Sequence, residues 1–214
     1  MKVIAFNGSP RKEWNTATLL GKALEGAKSR GAQTELIHLY ELYYKGCISC
    51  FACKVKNGPS YGKCAVKDDL AQIFAKVEQA DALIFGSPVY LGSVTGEMHS
   101  FLERLVFQYL TYTDPPASLC PKQIQTGFIY TMGVTEEMFN QVGYSHFMDL
   151  ISMFLTRVFG HSQRLCCFDT LQFDDYSKYV ATRFDPAKKA RRRREVFPID
   201  CEKAFEMGAG LTEK

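Results

Sequence analysis

Cys47, Cys50 and Cys53 stand at C-x2-C-x2-C spacing in Gly46-Cys47-Ile48-Ser49-Cys50-Phe51-Ala52-Cys53, and Cys64 follows after ten further residues. A triplet this tight lets three thiolates converge on one iron–sulfur cluster, as in bacterial ferredoxin runs. A zinc site more often uses two separated pairs. Three readings follow: a structural or redox-active thiol group, a [4Fe–4S] cluster, and zinc.

A second set of residues suits an anion. Asn7-Gly8-Ser9-Pro10-Arg11-Lys12-Glu13-Trp14-Asn15-Thr16 follows a short apolar run and precedes a helical pattern. A strand, a polar loop and a helix start present free backbone N–H groups at the positive end of the helix dipole. Ser9, Asn15, Thr16 and Thr18 add donors for phosphate oxygens, with Asn15 or Thr16 expected as N-cap. The loop lacks G-x-x-x-x-G-K and G-x-G-x-x-G, so neither a nucleoside triphosphate nor a dinucleotide-type turn is expected. A further loop, Gly86-Ser87-Pro88-Val89-Tyr90-Leu91-Gly92-Ser93-Val94-Thr95, closes another apolar run. Pro88, Tyr90 and the glycines there suit close approach to a flat ring.

These loops need a frame that brings them together. Short apolar runs at 2–6, 34–39, 82–85, 125–131 and 164–168 read as strands buried on both faces. Helical spacing fills 16–30, 69–79, 96–109 and 138–159 between them. Strand alternating with helix predicts a doubly wound α/β fold with a five-stranded parallel sheet. In the order 2-1-3-4-5, strands one and three are neighbours whose helices leave on opposite faces. The two loops then face each other across the crevice at the switch point.

Gly8-Ser9-Pro10-Arg11 with Asn15-Thr16, followed by Ser87-Pro88-Val89-Tyr90 with Gly92, resembles the NADPH-dependent FMN reductase family, which includes the iron–sulfur flavoproteins. The likeness covers roughly residues 1–105 well and the rest loosely. It implies a flavodoxin-like fold, bound FMN and NAD(P)H as co-substrate. By match, Ser9, Arg11, Asn15 and Thr16 hold the phosphate, and Pro88, Val89 and Tyr90 border the isoalloxazine. The loop Thr131-Met132-Gly133 completes the pocket. No side chain is expected to be catalytic, because the flavin carries the chemistry. The cysteine segment resembles the motif of the iron–sulfur flavoproteins, but their fourth cysteine follows the third more closely than Cys64 does. A mobile tether at 54–63 would leave a cluster open to oxygen, so a [4Fe–4S] cluster is expected to be absent or easily lost.

The remaining features bound the function. The chain has 214 residues and reads as a single domain over 1–214, with a cysteine-rich insertion at 43–67 and a basic helical tail at 171–214. A net charge of +3 asks for neither nucleic acid nor a membrane surface. No signal peptide or spanning segment is read, which gives a cytoplasmic protein with mostly reduced cysteines. Cys166 and Cys167 read as core packing. His38, His99, His146 and His161 have no partner at ligand spacing and read as structural or exposed. Lys188, Lys189 and Arg191, Arg192, Arg193 and Arg194 read as a solvated helix face after Pro186.

The expected activity is an oxidoreductase passing electrons from NAD(P)H through FMN to a quinone, flavin, metal or protein acceptor. The alternatives are an electron carrier exchanging single electrons with a ferredoxin, and a redox or metal sensor working through the cysteines. The apolar stretch 138–159 and the aromatic run Phe107-Gln108-Tyr109-Leu110-Thr111-Tyr112 predict a homodimer or homotetramer.

Overall fold

A computed structural model describes residues 1–213. Five parallel strands, β1 (Lys2–Asn7), β2 (Gln33–His38), β3 (Ala82–Pro88), β4 (Gln125–Thr131) and β5 (Gln163–Cys167), form one sheet in the order β2-β1-β3-β4-β5. The helices are α1 (Asn15–Ser29), α2 (Asp69–Gln79), α3 (Gly96–Phe107), α4 (Glu136–Val142), α5 (Ser145–Phe159), α6 (Pro186–Glu195) and α7 (Phe197–Gly210). The expected doubly wound, flavodoxin-like architecture and strand order are both present.

The period of two along each strand divides the core. Ile4, Phe6, Leu83, Phe85, Phe128 and Tyr130 face one layer, built with Leu70, Phe74, Phe101, Leu105 and Phe159 from α2, α3 and α5. Val3, Ala5, Ala82, Ile84 and Ile129 face the other, built with Leu19, Leu20 and Ala23 of α1 and Ala204, Met207 and Leu211 at the C-terminal end. Phe6, Phe85 and Phe101 pack as one aromatic group with centroids 4.6–6.4 Å apart. Tyr130 lies stacked on Phe128 at 4.1 Å.

α7 lies against α1 so closely that only glycine fits. A Cβ on Gly26 would sit 1.9 Å from the Phe205 carbonyl oxygen, and one on Gly208 would sit 1.8 Å from that of Ala23. The C-terminal segment is therefore an integral part of one core layer.

β4 matches the sequence reading at both ends, and the other strands differ by up to three residues, because polar residues such as Asn7, Ser87 and Gln163 continue the ladder. The single helix read over 138–159 is two. Gly143 takes a left-handed conformation at φ 76° and ends α4, accepting the turn that a β-carbon would resist. Among the described residues, no helix is long and apolar enough to cross a membrane.

Candidate cofactor-binding site

The loops after β1 and β3 are joined at the switch point. Gly8 N–H donates to the Gly86 carbonyl at 2.8 Å. The Thr95 hydroxyl donates to the Gly8 carbonyl at 2.7 Å, and Thr95 N–H donates to Ser87 Oγ at 3.0 Å. Asn7, fully buried, accepts the Ser9 N–H at 3.0 Å, and Ser9 Oγ accepts the Arg11 N–H at 3.1 Å. Short side chains thus fold the loop back on itself before α1 begins.

The N-cap of α1 is Trp14, not Asn15 or Thr16. Its indole makes no cap, and the first turn carries no acidic residue. Among the described residues no side chain caps this helix start, so the positive end of its dipole meets the cavity unneutralised. The Trp14 indole N–H donates instead to the Leu171 carbonyl at 3.1 Å.

A cavity of about 160 Å³ opens here. Of the residues expected from sequence, Ser9, Arg11, Asn15, Thr16, Pro88, Val89, Tyr90, Thr131 and Gly133 line it. Gly92 does not. It sits with a left-handed φ of 83° at the tip of a turn closed by reciprocal Tyr90–Ser93 backbone bonds of 2.8 and 3.0 Å. Trp14, Met132, Thr170, Leu171 and Gln172 complete the lining, and none of the fourteen lining residues is acidic.

Asn15, expected to hold the phosphate, lines the cavity with both polar atoms of its amide engaged. Its amide Nδ2 donates to the Leu171 carbonyl at 2.8 Å, and its Oδ1 accepts from Arg193 Nη1 at 2.9 Å. Thr16 and Thr131, both buried, bond to each other through their hydroxyls at 2.8 Å. The Arg11 guanidinium reaches the Gln172 carbonyl at 2.6 Å and lies 5.3 Å from the Trp14 ring centroid. The donors that remain at the cavity are backbone N–H groups of the loop and helix start, with Ser9 and Arg11 beside them.

The basic run of the tail is a solvated face only in part: Lys188, Arg191 and Arg194 are exposed, while Lys189, Arg192 and Arg193 turn inward. Lys189 is buried with its ammonium on the Gly133 carbonyl at 2.8 Å and on Asp169. Arg192 pairs with buried Asp200. Arg193 packs 3.8 Å from the Phe197 ring, and burial pushes its guanidinium below the ordinary value. These side chains turn inward because α7 and the loops after β4 and β5 offer carbonyls, a carboxylate and a ring at matching positions.

The four cysteines of the 47–64 segment border one small cavity of about 20 Å³, with Phe51, Phe107, Gln108 and Arg104. Ser49 and Phe51 take left-handed φ values of 53° and 55°, which turns the loop tightly enough to bring the thiols round. Cys47 and Cys50 are exposed and Cys53 is buried, so burial pushes the Cys53 thiol up. Cys47 N–H donates to Glu103 at 2.9 Å, and Cys64 N–H donates to Gln108 Oε1 at 2.9 Å. Glu103 also stands 3.6 Å from His99, a partner one helical turn away that the sequence reading did not assign.

The tether from 54 to 63, expected to be mobile, is folded. Gly58 donates to Val55, Tyr61 to Gly58, and Gly62 to Cys53 at 3.0 Å. The Lys54 ammonium holds the carbonyls of Phe107, Gln108 and Leu110 at the end of α3. Among the described residues, no three His, Cys, Asp or Glu side chains are grouped as a single metal ion requires, and all eight cysteines are free thiols.

The family model for NADPH-dependent FMN reductase matches residues 1–121, more than half of the chain. The chain belongs to this family. The matched stretch carries the loops after β1 and β3 and the whole cysteine segment. The loops after β4 and β5, and α6, lie beyond it. An iron–sulfur flavoprotein of Methanocaldococcus jannaschii is 40% identical over 104 residues, 49% of this chain and 51% of that protein. One from Archaeoglobus fulgidus is 39% identical over 104 residues, 49% of this chain and 48% of that protein. The chain thus spans about half the length of these relatives. Among solved structures, an NAD(P)H:quinone oxidoreductase from Methanothermobacter marburgensis superposes with a TM-score of 0.69 at 16% identity, covering 99% of this chain and 98% of that one. An FMN-dependent NADH-azoreductase from Bacillus anthracis, solved in complex with FMN, gives 0.63 at 13% identity with full coverage of both chains, 100% and 100%. At such identities the likeness is one of fold.

Proposed function

We propose that this chain binds FMN in the cavity between the β1 and β3 loops and acts as an oxidoreductase, passing electrons from NAD(P)H to a small-molecule or protein acceptor. One observation carries the reading. An uncapped helix start with no acidic residue in its first turn opens on a cavity with no acidic lining, facing Pro88, Val89 and half-exposed Tyr90. That arrangement holds a phosphate at one end and a flat ring at the other. FMN supplies the chemistry, accepting hydride and releasing electrons singly or in pairs. The protein's part is placement: Ser9, Arg11 and the α1 amides hold the phosphate, and the loops at 88–90 and 131–133 border the ring. Protein purified without oxygen should take up FMN in equimolar amount, and NADPH or NADH should bleach its visible absorbance. A chain that takes up no FMN, or whose bound FMN stays oxidised with both nucleotides, rejects the reading.

A second reading concerns the cysteines: they hold a [4Fe–4S] cluster, and electrons leave singly to a ferredoxin-type partner. Its support is Arg104. This arginine is buried, its Nε–H has no partner among the described residues, and it borders the cavity that the four cysteines share. Its two terminal nitrogens are spent on Asp68, so what it leaves for a cluster is one buried N–H donor rather than an unpaired charge, and such a donor suits the sulfur atoms of a cluster. The folded tether fixes Cys64 beside the other three thiols, while Cys47 and Cys50 stay exposed to solvent. Anaerobic reconstitution with iron and sulfide, repeated on Cys50→Ala, tests it. Iron and sulfide contents that do not differ between the two proteins reject it.

The reading also includes a homodimer or homotetramer in the reducing cytoplasm. A groove of about 550 Å³ between α3, α5 and the cysteine loop is lined by Phe51, Phe107, Tyr112, Ile151 and Phe154, and Tyr112 is 78% exposed. A monomeric apolar surface of this kind is what self-association covers.

A further inference from the structure

Lys189 and Arg193 stand four residues apart in α6 and so share one helix face. From that face they reach three segments of the candidate site. The Lys189 ammonium donates to the Gly133 carbonyl at 2.8 Å and to the Thr170 carbonyl at 3.5 Å, and pairs with Asp169. Its side chain is 4% exposed. Arg193 Nη1 donates to Asn15 Oδ1 at 2.9 Å. Gly133, Thr170 and Asn15 all line the cavity. Asn15 passes the connection on, because its Nδ2 holds the Leu171 carbonyl. The loop after β5 is tied in turn to the loop after β4, with Thr170 N–H on the Met132 carbonyl at 2.9 Å and Asp169 N–H on the Val134 carbonyl at 2.7 Å.

We propose that Lys189 and Arg193 are cofactor-positioning residues. They clamp α6 across the flavin pocket, so that docking of this helix and binding of FMN are one coupled equilibrium. This rests on the FMN reading above. The physical ground is a cost and a gain. Burying an ammonium is unfavourable unless its partners are all in place. Its partners here are the Gly133 and Thr170 carbonyls and the Asp169 carboxylate, all carried by the loops after β4 and β5. A pocket-filling ligand that orders those loops lowers the free energy of docked α6. By linkage, docked α6 raises the affinity of the ligand by the same factor.

The tail carries its own reporter, because Lys188 and the arginines from Arg191 to Arg194 are trypsin sites. Intact protein, stripped of flavin and then reloaded with FMN, is digested with limiting trypsin, and the cuts are mapped by mass spectrometry. Coupling predicts that FMN slows cleavage within 188–194 by about tenfold, the middle of the usual allosteric range. Arg193→Gln and Lys189→Met should each weaken FMN binding by about tenfold, the value of a hydrogen bond to a charged group. In Arg193→Gln the protection at the remaining sites should also collapse. Arg191→Gln, on the exposed face beside Glu195, should match the wild type in both measurements. A purely structural role for α6 would lower the stability of the flavin-free protein and leave the FMN-dependent protection ratio intact.

If Lys189→Met does not fold, the wild-type protection and Arg193→Gln decide the matter. Equal cleavage within 188–194 with and without bound FMN overturns the inference, as does wild-type FMN affinity in Arg193→Gln. Failure of the wild type to bind FMN overturns instead the reading on which it rests.

Discussion

At the residue scale, the site is built from side chains that spend their polar atoms on one another. Thr16 and Thr131 are the clearest pair, because both are buried and each hydroxyl faces the other at 2.8 Å. Thr16→Val leaves the buried Thr131 hydroxyl without its partner. The expected cost is about 1–3 kcal/mol, read from urea denaturation of the flavin-free protein. Adding Thr131→Val should recover part of that loss, since the orphan is then gone. Asp81 makes a different case. It accepts the Lys2 N–H at 2.8 Å and pairs with Lys122 at 3.0 Å, and these contacts, the backbone bond first, hold its carboxyl below the usual range. Its stabilising effect is therefore present above an unfolded pKa of about 3.9 and is lost as pH falls through the lower folded value. The wild type should exceed Asp81→Asn in stability near neutral pH, and the gap should close as melts are repeated at falling pH. A gap that stays constant would show that the carboxylate charge contributes nothing. Residue types alone marked Ser9, Arg11, Pro88 and Tyr90, because their chemistry is visible in a string of letters. Leu171 and Gln172 gave no such signal, since they take part through backbone carbonyls that every residue owns.

At the element scale, the alternation of apolar runs with helical stripes was enough to read five strands and their order. It failed where tertiary contact decides. The helix read over 138–159 breaks at Gly143, a signal that was in the sequence but was outweighed by the apolar run around it. The basic run in α6 read as solvated because charge density is all a sequence shows there. Burial of Lys189 is set by Gly133 and Asp169, 56 and 20 residues away. The crossing of α1 and α7 gives the sharpest test at this scale. Gly208→Ala raises intrinsic helix propensity by about 1 kcal/mol, yet its methyl would lie 1.8 Å from a backbone oxygen that cannot rotate away. Overpacking should win, with a net loss of about 1–3 kcal/mol in chemical denaturation. Gly210→Ala, where nothing lies within 4 Å, should be neutral or slightly stabilising.

At the scale of the whole molecule, the apolar groove beside the cysteine loop predicts self-association. Tyr112 is well exposed and donates no described side-chain bond, so Tyr112→Asp should fold normally. It should shift the sedimentation of the FMN-loaded protein at micromolar concentration from a multiple of 24.2 kDa towards a single chain. A wild-type protein that already sediments as a single chain removes the idea. The α1–α7 crossing has one more consequence, and it concerns synthesis. Ribosomes add about 5–20 residues per second and release the N-terminal end first. The face of the sheet formed by Val3, Ala5, Ile84 and Ile129 is made before Ala204, Met207 and Leu211, which help cover it. Until that segment emerges, the nascent chain carries an apolar sheet face covered by α1 alone. A late-made segment, rather than the first, completes this layer, and a ribosome stalled before residue 197 presents a natural client for a holding chaperone.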